Sequence, residues 1–123
     1  MTTLHVCTTC RAGKPLPEGE TPPGQHLFQA VAQAAPPGLD VRPVKCLSSC
    51  DHGCTAAISA PGKWTYLLGR LDTGLVADLL QYTTTYAAHP TGTVLPSRRP
   101  ASLARMVLGR MPDLTGLAAE VPA

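Results

Sequence analysis

Leu39-Asp40-Val41-Arg42-Pro43-Val44-Lys45-Cys46 decides how the chain is organised. This segment is bounded by Pro36-Pro37-Gly38 and by a turn-forming stretch from Ser48 to Gly53, and it predicts a strand that delivers Cys46 at its end. Thr3–Cys7 reads the same way, as a short strand ending on Cys7. Between them, Arg11 to Gly24 is a loop rich in Pro, Gly and Glu. A helix follows from about Gln25 to Ala35, with Leu27, Phe28, Val31 and Ala32 at helical spacing. Strand–helix–strand connections are right-handed almost without exception, so the two strands are expected as parallel neighbours. Both cysteine-bearing ends then fall on one edge of the sheet, where open α/β sheets commonly bind ligands.

Downstream, Thr55–Ala60 and Lys63–Gly69 predict a hairpin around Pro61-Gly62. Leu71 to about Ala88 predicts a helix that Asp72 or Thr73 can cap, with Leu75, Val76, Leu79, Leu80 and Tyr82 on its buried face. His89-Pro90 ends it. Thr91–Pro100 reads as an extended linker, and Ser102 to about Arg110 as a short helix with Leu103, Met106 and Val107 on one side. The expected class is α/β, in the thioredoxin-like order β-α-β-β-β-α, with an irregular C-terminal tail carrying a short helix. Residues 1–90 form the expected domain. Residues 91–123 form an extension that packs on it or at a dimer interface.

The 123 residues suffice for one hydrophobic core, and 44% apolar against 15% charged residues is a globular balance. Aromatics are few, so Leu, Val and Ala are expected to fill the core. The net charge of +2 comes from the C-terminal part, where Arg98, Arg99, Arg105 and Arg110 face Asp113 and Glu120. Four dispersed arginines without interleaved aromatics make no nucleic-acid footprint. No apolar run approaches the roughly 20 residues of a membrane span. Met1–Cys7 has neither a basic n-region nor an apolar h-region, so a cytoplasmic protein is expected.

In that compartment, clustered cysteines point to metal or redox chemistry rather than a disulfide framework. Five cysteines fall in two groups, Cys7-x₂-Cys10 and Cys46-x₃-Cys50-x₃-Cys54. Two loops that each supply a pair of soft thiolates suit a tetrahedral metal centre. Four readings stand: a [2Fe–2S] cluster, structural zinc, a redox dithiol, and inert buried thiols. A thioredoxin-type dithiol places its C-x₂-C at a helix N-terminus; here a long loop follows Cys10, so that stabilisation is expected to be missing. Ser48, Ser49, Asp51, His52 and Gly53 lie where backbone donors to metal-bound sulfur would sit.

Cys46-Leu47-Ser48-Ser49-Cys50-Asp51-His52-Gly53 resembles the C-L-G-x-C-x-x-G loop of the thioredoxin-like [2Fe–2S] ferredoxins. From residue 3 to about 112 the chain resembles a bacterial family of predicted metal-binding proteins of unknown function. The matching parts are Val6-Cys7-Thr8-Thr9-Cys10-Arg11, the Cys46–Cys54 loop, Ala60-Pro61-Gly62-Lys63-Trp64-Thr65-Tyr66 and His89-Pro90-Thr91-Gly92. The resemblance implies one [2Fe–2S] cluster held by Cys7, Cys10, Cys46 and Cys50, with Cys54 as the alternative to Cys10. Two departures stand out: the ferredoxins separate their first two cysteines much more widely, and they usually carry Pro where Cys54 stands. The resemblance also implies a redox partner protein, a homodimer and a link to cobalamin metabolism.

The remaining residues add no rival chemistry. His52 is expected to be exposed or to sit behind the ligands, His5 on a strand face, and His26 and His89 at helix boundaries. Trp64 and Tyr66 share a strand face as core or cover. Arg11 and Lys14 either counter a cluster's negative charge or are loop charges. No carboxylate pair, phosphate loop or Ser-His-Asp set appears, so an electron carrier rather than an enzyme is expected. The alternative function is a zinc-binding structural or metallochaperone module.

Overall fold

Strand β1 (Thr2–Cys7) runs parallel to β2 (Leu39–Val44) on one side and antiparallel to β3 (Cys54–Ser59) on the other. β4 (Thr65–Leu71) and β5 (Val107–Met111) continue the antiparallel part, giving a five-stranded sheet in the order β2-β1-β3-β4-β5. The computed structural model that establishes this describes residues 1–11, 15–48 and 52–113. Helices α1 (Pro23–Ala34) and α2 (Val76–Ala88) touch each other and both pack on β1. This is the thioredoxin-like α/β arrangement that the order of elements predicts.

Register explains the core. Leu4 pairs with Ile58, Val6 with Ala56, Ile58 with Tyr66 and Ala56 with Leu68. A period of two puts all of them on one face, and each is fully buried. From the helices come Leu27, Val31, Leu79, Tyr82 and Tyr86. The Tyr66 ring meets those of Tyr82 and Tyr86 edge-on, at centroid separations of 5.9 and 6.2 Å, a favoured geometry for aromatic quadrupoles. Three tyrosines thus take a central share of a core expected to rest on aliphatics. On the opposite face, His5, Ala57 and Leu67 lie in register and half-buried.

Local chemistry sets the helix limits. α1 opens on Pro23, whose missing N–H costs nothing in a first turn, so the helix starts two residues before the expected Gln25. Pro36-Pro37-Gly38 ends it, with Gly38 at φ +90°. β4 runs on to Leu71. A 3₁₀ turn over Thr73–Leu75 then leads into α2, and the Asp72 carboxylate accepts from Gly74 N–H at 2.8 Å.

The tail differs from expectation. In place of a helix over Ser102–Arg110 there is a 3₁₀ turn at Ala101–Leu103, followed by strand β5. The exposed edge of β4 offers unpaired backbone groups, and pairing with them outweighs the weak helical preference of a short segment containing Val107 and Gly109. Val94 and Leu103 are buried in the core, Gly69 N–H donates to Met106 C=O at 2.8 Å, and Arg110 stacks 3.9 Å over the Trp64 ring. Trp64 is therefore half-buried under an arginine, while Tyr66 enters the core. Among the described residues, no helix is long and apolar enough to cross a membrane.

Candidate metal centre

Parallel pairing of β1 with β2 sets Cys7 opposite Val44, so Cys46 stands two residues beyond the partner of Cys7. The turn after Cys7 is sewn to the end of β2. Thr8 N–H donates to Val44 C=O at 2.8 Å, the Thr9 hydroxyl donates to Lys45 C=O, and the Cys7 thiol reaches the same carbonyl at 3.5 Å. Cys10 closes the turn, and its thiol donates to Gly53 C=O. Cys54, the next residue, begins β3.

Three thiols are thus gathered in the interior: Cys7 and Cys10 are each 2% exposed and Cys54 1%. Burial pushes the Cys54 thiol up from 9.0 to about 12, and the neighbouring Cys10 and Cys7, with Asp72, push the same way. Such a thiol keeps its proton in the absence of a cation and releases it when a thiophilic metal binds. Cys46 is exposed, and its sulfur accepts the Ser48 N–H at 3.2 Å. Backbone N–H donors of this kind stabilise thiolate character. Cys50, Ser49 and Asp51 lie outside the described residues, as does Lys14. His52 and Arg11 are exposed.

The donor set fits a soft metal or an iron–sulfur cluster: the grouped donors are all sulfur, most of them shielded from water, on adjoining strand ends. Among the described residues no group of three or more His, Cys, Asp or Glu side chains is placed so that it could hold a metal ion. Of the described thiols at this edge of the sheet, Cys7, Cys10 and Cys54 are buried and Cys46 is exposed.

Two residues at this edge escaped the sequence reading. Gly24, in the first turn of α1, donates its N–H to Cys10 C=O at 3.0 Å and packs directly on the Cys7–Cys10 turn. The N-terminus of α1 therefore lies against the C-x₂-C turn, because the chain after Cys10 loops back, although its N–H meets the Cys10 carbonyl and not a sulfur. Proline in the helix's first turn followed by Gly was the available signal. The second is Arg70. Cys54 pairs with Leu71 and Ala56 with Leu68, so Gly69 and Arg70 together oppose Thr55 in a β-bulge. Arg70 adopts φ +54°, and a Cβ on Gly53 would stand 3.3 Å from its Cα. A non-glycine residue in the left-handed region at a bulge is the kind of local strain that gathers around functional sites.

The fold has close parallels among solved structures. The thioredoxin-like [2Fe–2S] ferredoxin from Aquifex aeolicus superposes with a TM-score of 0.56 at 15% identity, covering 91% of this chain and 94% of that one. A cysteine-to-serine variant of that ferredoxin gives a TM-score of 0.55 at 14% identity, over 89% and 99% of the two chains. A second such variant gives 0.52 at 16% identity with the same coverage. No curated protein matches the chain in sequence. Residues 4–113 match the model of a protein family of unknown function, DUF1636. With nearly its whole described length matched, the chain belongs to that family and carries it on a thioredoxin-like fold.

Proposed function

We propose that the protein is a small electron carrier that binds one [2Fe–2S] cluster and passes single electrons to a partner protein. The observation that carries this reading is the gathering of Cys7, Cys10 and Cys54 in the interior with Cys46 at the rim, on the fold of a [2Fe–2S] ferredoxin. The ligands are Cys7, Cys10, Cys46 and Cys50, with Cys54 as the alternative to Cys10.

A bound cluster supplies a one-electron couple and no bond-making chemistry. The chain's own part is to hold and shield. Burial of Cys7 and Cys10 keeps water from the inner sulfurs, and the Ser48 N–H steadies the outer one. Exposure of Cys46 leaves one ligand close to the surface, where a partner can approach. A cytoplasmic location, a homodimer and a link to cobalamin metabolism belong to the same proposal.

The test is an absorption spectrum of anaerobically purified protein, with iron, zinc and acid-labile sulfide measured on the same sample. Two irons and two sulfides per chain, with visible bands bleached by dithionite, are expected. A colourless protein holding one zinc would overturn the electron-carrier reading in favour of a zinc-binding structural or metallochaperone module.

A further inference from the structure

The cysteine end of the sheet has a polarity of its own. Lys45 leads from β2 into Cys46, Arg70 sits in the bulge opposite Cys54–Ala56, and Arg105 leads towards β5 beside the end of β4. All three are exposed. Asp72 is the described acid beside Cys54: it follows Leu71, the partner of Cys54, and caps the turn into α2. Glu18 and Glu20 belong to the connection into α1, which Arg11 begins. Three exposed cations against this one acid therefore mark the strand ends around Cys46 and Cys54. Elsewhere on the sheet Arg42 pairs with Asp40, at 2.6 Å.

Arg70 carries the argument furthest. Glycine would fill its left-handed position without cost, yet an arginine is held there against the backbone of the cysteine loop. Bulges of this type re-aim a side chain beside a site. Building on the electron-carrier reading, we propose that Lys45, Arg70 and Arg105 form a docking face for an acidic redox protein, which they orient over the exposed Cys46 rim. Complementary charge of this kind raises encounter rates and fixes orientation more than it adds affinity, and its effect falls with salt.

The experiment measures binding of purified protein, of known iron and sulfide content, to poly-L-glutamate and to phosphatidylserine-containing vesicles at low and high salt. Salt-sensitive binding to poly-L-glutamate is expected. An Arg70→Glu/Arg105→Glu double variant should weaken it roughly tenfold or more. Arg98→Glu, beside the C-terminal end of α2, should change it less than about twofold. Arg70→Gly should also bind more weakly while its melting temperature holds or rises, which separates a lost side chain from a lost fold. Equal losses in the Arg98→Glu control, unchanged binding in the double variant, or binding to vesicles alone would each overturn the proposal. Iron and sulfide content reports on the cluster reading separately: a zinc-loaded protein that still binds poly-L-glutamate at this face defeats that reading and leaves the docking face standing.

Discussion

Gly24 leaves no room for a Cβ: one built there would overlap the carbonyl oxygen of Cys7 and stand 3.0 Å from the amide nitrogen of Cys10. Both obstacles are backbone, so no rotamer change can relieve them. Gly24→Ala should therefore push α1 off the cysteine turn. Overpacking of this kind costs about 1–3 kcal/mol. The expected outcome is a lowered melting temperature together with a metal content well below one site per chain, read by thermal denaturation and elemental analysis. Normal metal content in the variant would mean that the turn and the helix are not mechanically coupled.

The three core tyrosines should respond differently to loss of their hydroxyls. Tyr66 Oη accepts the buried Val94 N–H at 3.0 Å, so Tyr66→Phe strands a backbone donor and should cost about 1–3 kcal/mol. Tyr86 donates to Trp64 C=O at 2.5 Å, and Tyr86→Phe should cost about 1 kcal/mol. The Tyr82 hydroxyl has no hydrogen-bond partner among the described residues, so Tyr82→Phe should be neutral or stabilising. Urea denaturation of the three variants checks the ranking.

Alkaline pH should unfold the protein through the same residues. Burial pushes both the Tyr82 and Tyr86 hydroxyls up to about 12 from 10.0, with Arg99 opposing it at Tyr82 and a backbone hydrogen bond opposing it at Tyr86. Between those values the unfolded chain has lost a proton that the folded chain keeps. Stability is therefore fully present below pH 10 and falls as pH rises towards 12, by about 1.4 kcal/mol per pH unit for each phenol. Denaturant midpoints across this window should fall less steeply in Tyr86→Phe. That comparison isolates the phenol from Cys54, which titrates in the same direction.

Ser48 holds φ +57° and donates its N–H to Cys46 Sγ. Ser48→Gly keeps the donor and removes the left-handed cost, so stability should rise by up to about 1 kcal/mol with metal content unchanged. Ser48→Pro cannot adopt that φ and has no N–H. It should lose most bound metal, measured as the metal-to-protein ratio after gel filtration.

Much of this was legible in the chain because the signals are local. Alternation and flanking turn residues mark β1 and β2, Pro61-Gly62 marks the hairpin, and helical spacing marks Leu27 and Val31. The crossover rule then brings the two cysteine groups to one edge without any long-range information. What was hidden depends on partners far away in sequence. Val107–Met111 becomes a strand only because β4 presents an open edge, and Gly24 matters only because the loop after Cys10 returns to it. Cys54 is ambiguous by spacing; its place beside Cys10 follows from the register of β3, which no local pattern encodes.

The division between interior and rim has a consequence for chemical access. Cys7, Cys10 and Cys54 are shielded from solvent, whereas Cys46 is open to it. A bulky thiol reagent should therefore label Cys46 in the native protein well before those three, which should react only as the chain opens.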